Sequence, residues 1–376
     1  MRVYLDNAAT TPIAKEVLET IFPIMEKNFG NPSSTHSFGR EVKAILENSR
    51  KIVAKHLNCL SSEIFFTSGG TEADNMAINC SVYDLGVKHI ITSAIEHHAV
   101  LHTVEKLAEK GFVKLSLVNL DEKGNIDLKH LETLLQNNEK TLVTLMHANN
   151  EIGNVLPLFE VGEICKKYDA IFHSDTVQTM GHFPIDLKNT HIHFITCAAH
   201  KFHGPKGIGF LYVNHNIKIN PFIHGGAQER NLRGGTENIY GIAGLAKALD
   251  LACSEIEEHK HHVLSLKKYM INQLSEKVSG ILFNGDSASE NALYTVLNVS
   301  FPPHEGSEML LFKLDLAGVA CSGGSACSSG SNKGSHVLGA LNVPSNRANV
   351  RFSFSRFTTK EDIDFAVEKV VEAIQS

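Results

Sequence analysis

The chain has no long apolar run. None of its hydrophobic stretches approaches the length that crosses a bilayer, and the opening Met1-Arg2-Val3-Tyr4-Leu5-Asp6-Asn7 lacks the apolar region of a signal peptide. It has no basic block either: 35 basic residues stand against 41 acidic ones, for a formal net charge of −6. Neither nucleic acid nor an anionic membrane surface is then the expected partner, which leaves small molecules and other proteins. There is no CxxC pair. The seven cysteines, at 59, 80, 165, 197, 253, 321 and 327, are odd in number and scattered, which suits a reducing compartment better than a disulfide framework. Neither nucleotide fingerprint is present, since no GxGxxG follows a strand pattern and no Gly-Lys-Ser/Thr loop occurs. No internal repeat is found. A cytoplasmic protein is expected, and 376 residues with 43% apolar content are enough for two domains, or one large domain and an appendage.

What is present is an alternation. Strand-like runs fall at about 63–68, 89–93, 113–118, 141–147, 170–174, 192–196 and 208–213, mostly separated by helical patterns. This predicts an α/β fold whose mostly parallel, seven-stranded sheet is covered by helices. Helical spacing also marks 15–27 and the apolar positions 42, 45, 46, 52, 53 and 57. A stretch from Tyr240 to about Val278 with almost no breakers predicts the connection to a smaller C-terminal domain. That domain has strand patterns at 296–301 and 350–354, helical patterns at 305–316 and 360–374, and a Gly/Ser-rich loop from Ser322 to Ser331. We expect a large domain over 1–255, with an N-terminal arm over 1–14, and a small α+β domain over 256–376 carrying the loop 322–332. The arm contains Leu5-Asp6-Asn7-Ala8-Ala9-Thr10-Thr11-Pro12, whose role no pattern defines.

The octapeptide His200-Lys201-Phe202-His203-Gly204-Pro205-Lys206-Gly207 lies between two strand runs. A lysine so placed can be desolvated and made nucleophilic, which favours Schiff-base formation, although an ordinary loop lysine fits the octapeptide equally well. Asp175, ending the run Ala170-Ile171-Phe172-His173-Ser174, tips the balance, because a strand-end carboxylate is what a pyridinium nitrogen needs. Thr67-Ser68-Gly69-Gly70-Thr71-Glu72 joins a strand run to a helix over about 71–85; two glycines there admit a ligand to the helix N-terminus, where a phosphate is favoured. Ala148-Asn149-Asn150-Glu151 and Asp175-Thr176-Val177-Gln178 add polar residues at two more strand ends. Taken singly, each of these fits ordinary loop hydrogen bonding. His97 follows the run 89–93 and could stack on a ring or move protons, or else serve as a capping or core histidine. His259, His261 and His262 suit a solvated helix face rather than a metal site. Cys327, in Ser325-Ala326-Cys327-Ser328-Ser329-Gly330-Ser331, is poorly placed for a structural role and well placed for a thiol that must travel. Arg351, inside the apolar run Val350-Arg351-Phe352-Ser353-Phe354, must find an anion, either a substrate carboxylate or an internal Asp or Glu.

As a set, LDNAATTP (5–12), GNPSS (30–34), FTSGGTEADN (66–75), EHHAV (96–100), HANNEIG (147–153), DTVQ (175–178), HKFHGPKG (200–207), RGGTEN (233–238), SACSSGS (325–331) and VRFSFS (350–355) resemble the NifS/IscS-type cysteine desulfurases. The resemblance spans nearly the whole chain. It implies a homodimer with the fold type I of pyridoxal-phosphate (PLP) enzymes, which removes sulfur from L-cysteine, leaving L-alanine and an enzyme-bound persulfide. Motif by motif, it implies that Lys201 holds PLP, Asp175 pairs with its ring nitrogen, His97 stacks on the ring, and Asn150 and Gln178 contact the ring hydroxyl. Gly70, Thr71 and His200 would hold the phosphate, and Thr236 would reach the phosphate of the neighbouring subunit. Arg351, with Asn31 nearby, would bind the substrate carboxylate, and Cys327 would accept the sulfur. The partner implied is a sulfur acceptor, an iron–sulfur scaffold or a sulfur carrier. A class-V aminotransferase would look the same around the cofactor but has no need of Cys327, and a non-catalytic scaffold has no need of Lys201. Two positions depart from the family pattern: Ala198 stands where a phosphate-binding serine is usual, and Cys321 where an aliphatic residue is usual.

Overall fold

A computed structural model of the chain describes residues 1–136, 139–323 and 334–375. The seven expected strands form one sheet, in the order Ile64–Thr67, Gly209–Val213, Phe194–Ala198, Ile171–Asp175, Thr141–Thr144, His89–Thr92, Lys114–Leu117. Gly209–Val213 runs antiparallel to both of its neighbours, and the other pairs are parallel. The reason these segments read as unbroken apolar runs is visible in the packing. Side chains alternate across a strand, so Phe66, Ile91, Val143, Phe172 and Ile195 enter one core with Val17, Val42, Leu46, Val53, Ile242 and Leu249. Their neighbours Phe65, Ile90, Leu142, Ile171 and Phe194 enter a second core with Met76, Ala77, Val100, Val104 and Leu107. Helices Lys15–Lys27, Ser37–His56 and Ile239–Ser254 cover the first face, and Gly70–Tyr83 and His98–Glu109 the second. With both faces buried, alternation of polar and apolar residues disappears. The edge strand Lys114–Leu117 has no fully buried residue.

The stretch expected as one long connection is two helices, Ile239–Ser254 and Ile256–Lys277, separated at Glu255, whose φ of −115° and ψ of 19° leave the helical region. Beyond it, Ala348–Ser353, Val296–Phe301 and Leu282–Phe283 form an antiparallel three-stranded sheet. This sheet packs with Ile256–Lys277, Leu310–Leu316 and Lys360–Gln375 around a separate core. Val3 and Leu5 belong to that core, and strand Val3–Tyr4 pairs in parallel with Val319–Ala320. The N-terminal arm is therefore anchored among C-terminal residues, and from there it runs across the carboxyl ends of the large sheet's strands.

Candidate active site

Parallel strands release their loops at a common edge, where open α/β sheets bind ligands. At that edge lies a cleft of about 820 Å³ lined by, among others, Gly70, Thr71, His97, Asn150, Asp175, Gln178, His200, Lys201 and Arg351. Nine of the residues singled out in the sequence are thus brought together.

At one end of the cleft the helix Gly70–Tyr83 begins without any side-chain cap, so its first N–H groups and its positive dipole end are available to an anion. A Cβ on Gly70 would lie 2.9 Å from Val177 Cγ2, so the close approach of helix and loop here requires glycine. Ala198 presents a methyl group to the cleft where a hydroxyl was usual. His200 Nδ1 lies 3.1 Å from Thr10 Oγ1. Burial, together with Lys201 and Lys206, pushes the His200 imidazole down to about 4, so His200 is a neutral hydrogen-bonding group at physiological pH.

Lys201 ends the 3-10 turn Ala199–Lys201 that follows strand Phe194–Ala198. Its Nζ donates to the carbonyl oxygens of Ala8 at 2.5 Å and Ala9 at 2.9 Å. Gln178 Nε2 donates to Ala8 O as well, at 3.0 Å. Asp175 closes strand Ile171–Asp175, is 6% exposed, and accepts a hydrogen bond from Val177 N–H at 2.9 Å. Burial and then the neighbouring Asp74 carboxylate push its pKa up. His97 caps helix His98–Glu109, its Nδ1 accepting from Ala99 N–H at 3.1 Å. Burial lowers the imidazole's pKa against the pull of Asp175. With Nδ1 accepting, the ring carries its proton on Nε2 in the neutral form.

Arg351, on strand Ala348–Ser353, is 1% exposed. It satisfies the need for an anion internally: Nη2 pairs with Asp6 Oδ1 at 2.7 Å, and Nη1 donates to Asn150 O at 2.9 Å. Its Nε is buried without a hydrogen-bond partner. Asn31 and Thr236 do not line this cleft. Asn31 is exposed, its side-chain oxygen accepting from Ser33 N–H. Thr236 lies with Ser68, Gly207, Arg233 and Asn238 around a separate pocket of about 470 Å³. Cys327 and most of the loop 322–332 lie outside the described residues. The described chain on either side is tied to the cleft's wall. Ser322 and Arg351 exchange backbone hydrogen bonds of 3.2 and 2.6 Å, and Ser335 Oγ donates to Glu151 Oε2 at 2.5 Å. Cys321, just past strand Val319–Ala320, has its thiol pushed up to about 12 by burial and then by Asp6 and Asp315. By surface Cys321 is half-buried.

Sequence reasoning missed two contributors. The arm's role is one, since Asp6, Ala8 and Ala9 meet Arg351 and Lys201 only through contacts some 190 to 345 residues apart in sequence. Asp74 is the other: it lines the cleft, is 1% exposed, and its Oδ1 has no hydrogen-bond partner. One signal was available, because Asp74 is the sole charge on a helix face otherwise made of Ala73, Met76, Ala77, Ile78 and Cys80.

The chain matches the family model "Aminotransferase class-V" over residues 3–365. It is 44% identical over 381 residues to a cysteine desulfurase IscS of Dictyoglomus turgidum, covering 100% of this chain and 95% of the relative. Among solved structures it is similar to a NifS-like protein, with a TM-score of 0.91 and 36% identity, each chain covered fully. It is also similar to SspA in complex with cysteine, with a TM-score of 0.82 and 32% identity over 95% of this chain and 100% of that one. The α/β fold with its mostly parallel sheet agrees with these neighbours.

Proposed function

The chain belongs to the class-V aminotransferase family, and from that premise we propose that it is a PLP-dependent cysteine desulfurase, converting L-cysteine to L-alanine while a persulfide forms on Cys327. The observation that carries the reading is the convergence of Lys201, Asp175, His97 and Arg351 on one cleft.

The residues fit the cofactor. An uncapped helix N-terminus suits its phosphate, a buried carboxylate at Asp175 suits its ring nitrogen, and the Lys201 amine lies in the same cleft. Gly70, Thr71 and His200 would hold the phosphate, and Asn150 and Gln178 the ring hydroxyl. Bound PLP supplies an electron sink for the charge left when a proton leaves the substrate Cα. The protein's own groups do the rest. Lys201 Nζ leaves the Ala8 and Ala9 carbonyls to hold the cofactor and, once freed by the substrate amine, moves the Cα proton. His97 would cover the ring, with Nδ1 engaged by Ala99 N–H and Nε2 left to carry a proton. Arg351, exchanging its Asp6 partner for the substrate, would bind the substrate carboxylate and fix which bond at Cα lies in reach of Lys201. The Cys327 thiolate attacks the substrate sulfur; the S–S bond forms, the Cβ–S bond breaks, and Cβ gains a proton to become the methyl of alanine. Cys327 is four positions beyond Gly323, so its Cα is at most about 14 Å from that of Gly323.

We further propose that Asn31 and Thr236 complete the cleft of a second copy, making the working unit a homodimer. The large unit would span 1–255 and the small one 256–376. Among the described residues no helix is long and apolar enough to cross a membrane, and we take the cytoplasm as the site of action. The persulfide would pass to an iron–sulfur scaffold or a sulfur carrier. Incubating the protein with L-cysteine and a thiol reductant tests the reaction. Sulfide and alanine in equal amounts are expected, and keto-acid exchange without sulfide would make it an aminotransferase instead.

A further inference from the structure

Asp74 has no part in the chemistry above, yet nothing in the cleft is more deeply placed. One ligating atom each of Asp74, His97 and Asp175 lies within 4.8 Å of the others. Asp74 is buried, its Oδ1 unpartnered. The nearest basic group is His173 Nε2, 3.4 Å from that oxygen. His173 offers no positive charge: burial pushes it down to about 4. Its Nδ1 is engaged with the Thr144 hydroxyl at 2.8 Å and its Nε2 with the Thr196 hydroxyl at 3.1 Å. Of two carboxylates this close in a dry site, one has its pKa strongly raised unless a cation joins them, so near neutral pH the pair keeps a proton.

We propose that Asp74 and Asp175 form an acid pair that holds one proton in the unloaded protein, with Asp74 a positioning residue that gives up this proton when a cationic ring nitrogen docks at Asp175. The inference rests on the PLP reading of the cleft and deepens it, because the pair then favours a protonated nitrogen heterocycle over a neutral ring. The O–H bond of Asp74 breaks, its electrons stay on the carboxylate, and the proton leaves through the cleft to water. Burial, which pushes Asp74 up to about 7, agrees with Asp74 being the protonated member. The other ionisable groups facing the pair do not take its place. Glu96, pushed up to about 8 by burial, already accepts from Ser93 Oγ and Met146 N–H, and burial lowers the His97 imidazole against the pull of Asp175. Lys201 Nζ donates to the Ala8 and Ala9 carbonyls.

The test is a proton count. The heat of PLP binding to the unloaded protein, measured at pH 6 in buffers of different ionisation enthalpy, reads protons released per cofactor bound. The wild type is expected to release about one proton more than Asp74→Asn, and Asp74→Ser should match Asp74→Asn. At pH 9, where Asp74 is already ionised, the difference should vanish. Equal counts at pH 6, or a difference that persists at pH 9, would overturn the acid pair while leaving the cofactor assignment intact. A wild type that takes up no PLP at all would overturn both.

Discussion

Thiol reactivity in this protein should reside in one cysteine, Cys327, and replacing it by serine should leave no fast-reacting thiol in the native fold. All six described cysteines are free, and burial raises every one. Cys321 is the critical case because it stands closest in sequence to the loop. With its pKa pushed up to about 12, it is ionised to roughly one part in ten thousand at pH 8, where an ordinary thiol of pKa ~8.5 is about one quarter ionised. That is a deficit of about 2,000-fold in thiolate. A more basic thiolate is a better nucleophile, with a Brønsted slope of ~0.4–0.5, and over about 3.5 pH units this restores roughly 25- to 60-fold. Cys321 should therefore exchange with a small aromatic disulfide about 40- to 100-fold more slowly than a model thiol, before any hindrance from burial. The assay is absorbance of the released thiolate at pH 8, with mass spectrometry of the labelled peptides. Wild type should give one fast equivalent on the Cys327 peptide, and Cys327→Ser none. A fast equivalent on Cys321 in that variant, with turnover of L-cysteine retained, would refute the reasoning and move the persulfide to Cys321.

Borohydride treatment of the PLP-loaded protein should fix the label on Lys201, whose amine lies in the cleft, and not on exposed Lys206; peptide mapping decides, and label on Lys206 would break the assignment. Ala198→Ser should tighten PLP retention by about 0.5–1.5 kcal/mol, the net value of one neutral hydrogen bond; equilibrium dialysis giving equal or weaker retention would mean the phosphate is already satisfied there. Lys267 is 1% exposed, its Nζ donating to Leu293 O at 3.1 Å, and burial pushes it down to about 7. Between that value and the unfolded value of ~10.4 the unfolded chain binds the extra proton, so this group makes stability rise with pH, by up to about 1.4 kcal/mol per pH unit. Urea unfolding at pH 8 and 9.5 should show that rise shrinking in Lys267→Met, and an unchanged slope would contradict it.

Much of the site was legible before folding because its parts sit where local patterns end. Asp175, Lys201, His97, Asn150 and the Gly69-Gly70 turn each follow a strand, and strands in a doubly covered sheet announce themselves as apolar runs. Once such runs are parallel, their carboxyl ends must share an edge, so the five converge by topology alone. The departure at Ala198 came with the family resemblance, and the low reactivity expected of Cys321 came from its place after an apolar run. The separation at Glu255 was not legible, because no Gly or Pro marks it.

What the sequence by itself determined, then, was the succession of elements, the large sheet and the chemical character of each strand end. Only the tertiary structure decided which carboxylate meets Arg351, which carbonyls hold Lys201, and that Asp74 stands behind Asp175. It also decided that Asn31 and Thr236 lie away from the cleft of their own chain. The physical reason is the range of the interactions. A period of two or 3.6 residues is imposed by neighbours along the backbone, whereas Asp6 and Arg351 are 345 positions apart and meet only after two separate cores have formed and the arm has been anchored in the second.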